Sequence, residues 1–368
     1  MVTDVDVKPR RWLNSQAALV AQVWLLSRAA MAVLWISLSI SLDEAPISLL
    51  TRWDVLHYMG IGESGYLAAN SEAFFPGLPI LLRAGSLIGL PMEISGVVFS
   101  LLGSALATAA LYRLFGAPAA CLWALAPTAI FTVIGYTEGL FCAAAFWSWQ
   151  RAKSQVWWQA AVLAGLACSL RVSGLFLVCA LAVMALGQGR GWWKKLAWLL
   201  IPVAVLAAFQ IYLHALTGSW MAWLESQQAG WTRSFTTPWQ SLLHTLNACQ
   251  TSAWEGRLEV PWVFRAEIVS MAAGLVASIW QLWRRHWPEA VFVGSQVLVF
   301  ACSWWFMSVN RALLLWFPVW AMLGLVVKRA NRPRVSRWWR LAVGFGFVLE
   351  AAVMLIWAWL FMTGRWAS

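Results

Sequence analysis

Charge is scarce in this chain. Asp, Glu, Lys and Arg make up 11% of its 368 residues, against roughly a quarter in a soluble globular domain. Aspartate is scarcer still, confined to Asp4, Asp6, Asp43 and Asp54. So little charge excludes a fold that uses water as its only solvent. Cysteine is sparse too: Cys121, Cys142, Cys168, Cys179 and Cys302 fall in or beside apolar runs, and Cys249 stands in a loop. That scatter excludes a disulfide framework and zinc-ligand spacing; the thiols read as small apolar side chains in a bundle. No metal-ligand cluster is visible, so no essential metal and no cofactor is expected. Internal repeats and low-complexity linkers are missing as well, which leaves one domain over 1–368.

What the chain has in abundance is apolar length. It is 61% hydrophobic, with a mean hydropathy of +0.69 and 30 Trp. Indoles favour the membrane–water interface, and a full span needs about 20 apolar residues. Apolar stretches run at about 16–40, 74–90, 92–115, 118–134, 137–151, 157–184, 192–216, 263–283, 288–307, 311–327 and 340–362. The expectation is an all-α, polytopic transmembrane bundle of about eleven hydrophobic spans. The short pair 118–134 and 137–151 suits two half-helices of a re-entrant hairpin. The first run, behind Lys8, Arg10 and Arg11, is too long for a signal peptide and reads as an uncleaved span.

The net charge of +11 does not point to nucleic acid, because the basic residues sit in short loops between apolar runs, where they act as topology signals. Under strict alternation the N-terminal cluster, Arg190–Lys195, Arg284–Arg285 and Lys328–Arg340 share one side, the cytoplasm. Two long loops, about 41–73 and 217–262, fall on the external side. Arg151 and Lys153 break the pattern.

Chemistry is expected on the external face. Asp54 lies in Arg52-Trp53-Asp54-Val55-Leu56-His57-Tyr58, and on a helix it would share a face with His57. Aromatic neighbours partly desolvate such a carboxylate and suit it to general-base work; the bland alternative is a merely solvated one. Arg171 falls mid-span, where a guanidinium costs about 2.5–3.5 kcal/mol on insertion scales and marks a functional site by default. Its alternative is an ion pair with Glu138 that holds the bundle together. Arg311 heads a span, where snorkelling to lipid headgroups explains it almost as well. Arg28 and Arg83 also fall inside spans.

Several of these segments together resemble a known family. Arg52-Trp53-Asp54-x-x-His57-Tyr58, Gly65-Tyr66 and Phe74-Phe75-Pro76-Gly77-x-Pro79 are similar to the opening signature of the PIG-V type mannosyltransferases, GPI mannosyltransferase 2 and its bacterial homologues. Pro127 with Tyr136-Thr137-Glu138-Gly139-Leu140-Phe141, then Arg171-x-x-Gly174, Gly218-x-Trp220…Gln228-x-x-Trp231-x-Arg233, and Ser308-x-x-Arg311 with Phe317-Pro318 follow in the family's order. The chain departs from many relatives at Ala312, where they carry Tyr, and it is shorter than eukaryotic members.

The resemblance implies a GT-C glycosyltransferase fold with a long first external loop, and the transfer of a sugar, typically mannose, from a polyprenyl-phosphate donor. The acceptor would be a glycolipid or glycan met on the external face. A lipid-phosphate leaving group needs little protonation, so one base could suffice for an inverting displacement, where glycosidases use two carboxyl groups. Asp54 is the candidate base and His57 its partner. Arg52, Trp53, Tyr58, Glu138, Arg171, Trp231, Arg233 and Arg311 are the candidate substrate-binding residues, the arginines for phosphate. Partners are then the polyprenyl-phosphate sugar, the acceptor glycan or glycolipid and membrane lipids, with no nucleic acid. A bacterial inner membrane is the expected location, ahead of the endoplasmic reticulum. Two other readings remain open: a lipid or sugar transporter or flippase, and a non-catalytic subunit of a transferase.

Overall fold

Backbone N–H and C=O groups find no water in a hydrocarbon layer and must bond within their own segment. Every apolar stretch named above accordingly contains helix in the computed structural model, which describes residues 8–330, 332 and 336–367. Asp4, Asp6, Arg334 and the side chains of the N-terminal basic cluster lie outside the described residues. Among the described residues, five helices are long and apolar enough to cross a bilayer. They are α1 (Lys8–Leu42, with its apolar part at Ser15–Leu42), α4 (Met92–Phe115), the nearly continuous α9–α10 (Trp192–Trp198 and Leu200–Thr217), α13 (Glu259–Trp283) and α17 (Arg337–Met362). A bent pair, α15 (Val309–Leu315) and α16 (Phe317–Ala330), meets the same test only when its two helices are taken together, and they meet at 73°. The only pairing of strand type among the described residues is the isolated bridge Phe235–Ser303.

The remaining apolar stretches form shorter helices. They are α3 (Gly77–Leu87), α5 (Ala117–Ala124), α6 (Glu138–Lys153), α7 (Trp157–Leu170), α8 (Ser173–Gly187) and α14 (Trp287–Ala301). Two expectations change here. The stretch 74–90 yields only the eleven-residue α3, too short to span. The stretch 157–184 is two helices, α7 and α8, broken at Arg171 and Val172. The Lys195 ammonium joins the far ends of that pair, bonding Gln188 just past α8 at 2.9 Å and lying 5.9 Å from the Trp157 ring at the start of α7. Arg171 is therefore the tip of a helical hairpin. A guanidinium in mid-span is costly, and the break delivers it to a polar site instead.

The same contacts remove the charge anomaly. Lys153 pairs with Glu289 at 3.3 Å, beside the Arg284–Arg285 cluster, and lies 5.8 Å from the Phe115 ring. Lys328 donates to the Phe115 carbonyl at 2.6 Å. Arg151, Lys153, Lys195 and Lys328 thus share one end of the bundle, because α7 leads away from that end to the tip at Arg171 and α8 leads back to it.

Close packing of α4 on α6 needs glycine. A Cβ on Gly103 would sit 2.6 Å from the Gly139 backbone, and one on Gly139 would sit 2.6 Å from the Ser100 carbonyl. Small residues let helix backbones approach in this way in membranes. Gly139→Val is therefore expected to push α6 off α4 at a cost of about 1–3 kcal/mol or more. The check is the thermal midpoint of the detergent-solubilised protein, and a midpoint equal to wild type would refute the close approach. Since α6 begins at Glu138, this contact sets where the carboxylate stands.

Two further helices complete the site from the first two long loops: α2 (Asp54–Ser64) and α11 (Ala222–Trp231). The helix α12 (Pro238–Ala248) follows, closed by a capping box of Thr237 and Gln240.

Candidate active site

Broken and short helices bring their ends, and so their charges, to one place. Asp54 opens α2 and Glu138 opens α6. Each carboxylate thus sits in a first helical turn, where the positive end of the peptide dipoles favours negative charge. Trp53, just before Asp54, takes a left-handed φ of 56°. This is a costly turn for a bulky residue, and it swings Trp53 outward to 42% exposure.

Arg311, on the short helix α15, joins the two carboxylates. Its Nε and Nη2 both donate to Glu138 Oε1 at 2.8 Å, and its Nη1 donates to Asp54 Oδ2 at 2.9 Å. The same Glu138 oxygen accepts from Arg171 Nη1 at 2.8 Å, and Arg171 also donates to Thr137 Oγ1 at 2.9 Å. Glu138 is fully buried and Arg311 nearly so, whereas Arg171 keeps 20% of its side chain open. The Arg311 guanidinium lies over the rings of Tyr136 (4.6 Å) and Phe131 (4.9 Å), a favourable cation–π setting. Tyr136 also fixes Asp54, whose backbone N–H donates to its hydroxyl at 3.2 Å. Snorkelling is excluded for Arg311, since its charge points inward.

A cavity of about 580 Å³ opens against this network. Asp54, Tyr58, Arg171, Trp231, Arg233 and Arg311 line it, and its other walls are mostly apolar, with Leu175 and Phe176 from α8 and Leu298, Val299 and Phe300 at the end of α14, interrupted by Gln227, Gln296 and a few Ser. The first turn of α8 also faces it through Val172 and Ser173. Tyr58 meets Thr137 Oγ1 at 3.5 Å, and burial pushes its phenol up to about 12, so it stays a neutral hydrogen-bonding group.

The second long loop closes over the first. Ser226 donates to Glu72 at 3.0 Å, and Trp223 and Gln227 donate to the Ala73 carbonyl at 3.3 and 3.4 Å. These bonds dock α11 so that Trp231 packs on Phe74, with ring centroids 5.4 Å apart. Arg233 then enters the cavity and donates to the Met307 carbonyl at 3.3 Å. Burial, then the neighbouring Arg311 and Arg171, pull its guanidinium down to about 10. It remains protonated, and three cations facing one cavity make an anion welcome there.

Among the sequence candidates, the cavity thus gathers Asp54, Tyr58, Arg171, Trp231, Arg233 and Arg311, with Glu138 directly behind them. Three stand apart. His57 stacks on Phe74 (4.8 Å) and tilts against Trp231 (6.2 Å), so its contacts are aromatic. Arg52 pairs with Glu44 at 2.7 Å, away from the cavity lining. Trp53 points out. The helix start at Asp54 explains the split, because residues before it follow a different backbone direction. Outside the site, Arg28 bonds the Ala124 carbonyl (2.9 Å) and Thr132 (2.8 Å), and Arg83 bonds the Gly62 and Glu63 carbonyls. Both hold loop and helix ends. Among the described residues no group of three or more His, Cys, Asp or Glu is arranged to hold a metal.

One contributor escaped the sequence reading. Glu267, on α13, is fully buried and accepts from the backbone N–H groups of Ser308 (3.0 Å) and Asn310 (2.7 Å). It lies in the apolar stretch 263–283, and a carboxylate within a span was itself a signal.

Comparison with known proteins agrees with the resemblance. No family model matches the chain. The chain is 32% identical over 175 residues to GPI alpha-1,6-mannosyltransferase 2 of Mus musculus, a match covering 42% of this chain and 35% of that protein. The Homo sapiens protein of that name is 31% identical over 156 residues, covering 37% and 32%. The matches thus span about a third of the length of these curated relatives. Among solved structures, ArnT from Cupriavidus metallidurans bound to undecaprenyl phosphate superposes over 92% of this chain and 64% of its own, with a TM-score of 0.51 and 14% identity. At that identity the likeness is one of fold alone: this chain resembles the polytopic helical fold of ArnT.

Proposed function

We propose that this protein is a membrane glycosyltransferase that moves a sugar, mannose in the first instance, from a polyprenyl-phosphate donor to a hydroxyl of a lipid-linked or glycan acceptor. The observation that carries the reading is the cavity itself: Asp54, Arg171, Arg233 and Arg311 line it together with a larger set of apolar side chains and a few uncharged polar ones such as Gln227 and Gln296. That lining suits a ligand with an anionic head and a hydrocarbon tail. The curated relatives are mannosyltransferases by name, and the structural neighbour was solved with a polyprenyl phosphate bound.

In the proposed reaction the acceptor oxygen attacks the anomeric carbon, and its proton passes to Asp54. The bond from that carbon to the phosphate oxygen breaks in the same displacement, with inversion, and the polyprenyl phosphate leaves with the electron pair. The leaving phosphate gains a negative charge as the bond breaks. Fixed cations aimed at that position lower the barrier, and Arg171, Arg233 and Arg311 supply them. Arg311 engages Oδ2 of Asp54 and leaves Oδ1 for the acceptor hydroxyl. Tyr58 and Trp231 are the groups to bind the sugar.

Asp54→Asn tests the assignment, since it keeps size and removes the base. A positioned general base contributes about 10²–10⁴-fold. With polyprenyl-phosphate-[¹⁴C]mannose and membrane extract as acceptor, the variant is therefore expected to lose at least about a hundredfold at equal expression. Transfer surviving in the variant would move the base elsewhere. Lipid or sugar translocation that persists in the variant, with no transfer by wild type, would replace the enzyme with a transporter.

A further inference from the structure

We infer that Glu267 is a positioning residue for the phosphate-binding arginines, holding the break before α15 in the shape that aims Arg311 at the cavity; the inference rests on the proposed function. The helix α15 starts badly on its own. Its N-cap, Ser308, has a left-handed φ of 66° and gives no side-chain cap. Four N–H groups at a helix start need partners from outside the helix, and this start is buried, with Ser308 at 8% and Asn310 at 3% exposure. Glu267 supplies the missing cap from another helix. One carboxylate oxygen takes the Ser308 N–H and the other takes the Asn310 N–H.

The rest of the turn is pinned around that bidentate grip. Ser270 donates to the Asn310 side-chain oxygen at 2.7 Å, the Asn310 amide donates to the Val263 carbonyl at 3.3 Å, and Thr128 donates to the Asn310 carbonyl at 3.0 Å. Arg311 is the next residue. On the other flank, the Met307 carbonyl accepts from Arg233. One buried carboxylate therefore fixes a turn that carries Arg311 on one edge and holds Arg233 through the Met307 carbonyl on the other. It also lies close enough to Arg233 to favour its charged form. No ligand need touch Glu267; it acts through backbone that the ligand's partners share.

The test measures the binding of polyprenyl phosphate alone, by intrinsic tryptophan fluorescence, to the full-length protein in lipid nanodiscs. Glu267→Gln keeps the shape but offers one acceptor where two N–H groups need one each. Its Kd is expected to rise about tenfold or more, the loss that outer-shell partners of ligating groups commonly produce. In transfer assays kcat/KM for donor should fall about tenfold or more with it, because a misaimed Arg311 weakens both the hold on the phosphate and the stabilisation of its developing charge. A purely structural role would instead lower the yield of folded protein and leave the Kd of the folded fraction unchanged, which would overturn the inference. Glu267→Asp, with a shorter carboxylate, is read in the same way should the Gln variant fail to fold. If neither variant folds, the role is structural and the inference fails. Wild type that binds polyprenyl phosphate but transfers no sugar would sink the proposed function and leave the Kd comparison to decide this one. Wild type that does not bind it would sink both.

Discussion

Arg311→Ala is expected to abolish transfer, with a fall of at least about 10²–10³-fold, the scale seen when one charge-stabilising donor is removed from an active site. The side chain makes three charge-assisted bonds, two to Glu138 and one to Asp54. Its loss removes a cation from the proposed phosphate position and leaves two carboxylates facing each other across the gap. Two readouts separate these effects. Donor turnover reports the lost cation, and the thermal midpoint reports the lost bonds. Arg311→Lys sharpens the test, because it restores charge without the planar fork. A point charge cannot bridge Asp54 and Glu138 with the same geometry, so Lys should recover stability in part while transfer remains at least about tenfold down. Wild-type turnover in the Lys variant would show that only charge matters at this position. Wild-type turnover in the Ala variant would remove Arg311 from the mechanism.

The second large effect is expected at Glu138. Its Oε1 atom alone takes bonds from Arg311 and Arg171, all at 2.8 Å, and the side chain is fully buried. Breaking a buried ion pair by removing one partner costs about 3–5 kcal/mol, since the surviving charge is left uncompensated. Glu138→Gln leaves two guanidiniums sharing one neutral carbonyl, so a loss in that range is expected, seen as a large drop in thermal midpoint. Adding Arg171→Gln removes one of the stranded charges, and the double variant should recover part of the stability. That recovery is the informative measurement. Independent, additive losses would mean that Arg171 and Glu138 do not share the energy their geometry implies. The pairing first weighed as a bland alternative to substrate binding is present, yet Arg171 also lines the cavity. One residue fills both roles, because its charge is shared between a buried carboxylate and an open face.

The sequence by itself determined the solvent of this protein. A chain with so few charges and so many apolar runs has to build helices in lipid, and each of its apolar runs contains helix. It also supplied the ordered motifs, and with them most of the residues that line the cavity, because ionisable side chains are rare in such a chain and each one stands out. The sequence could not determine partners. Asp54 and Arg311 are 257 residues apart, and Glu138 and Arg311 are 173 apart; no periodicity reaches that far. Nor could it separate Asp54 from Arg52 and Trp53, its motif neighbours, since only the helix start at Asp54 sends them in different directions. The hairpin of α7 and α8 was hidden because an apolar run looks alike whether it crosses once or turns back. Only the three-dimensional arrangement decided that Arg171 lies at a tip, that Arg151 and Lys153 join the other basic ends, and that a carboxylate on α13 caps a helix 41 residues later. The physical reason is common to all of these. Hydropathy is a property of composition, whereas the burial of a charge and its compensation depend on which distant group is brought within hydrogen-bond reach.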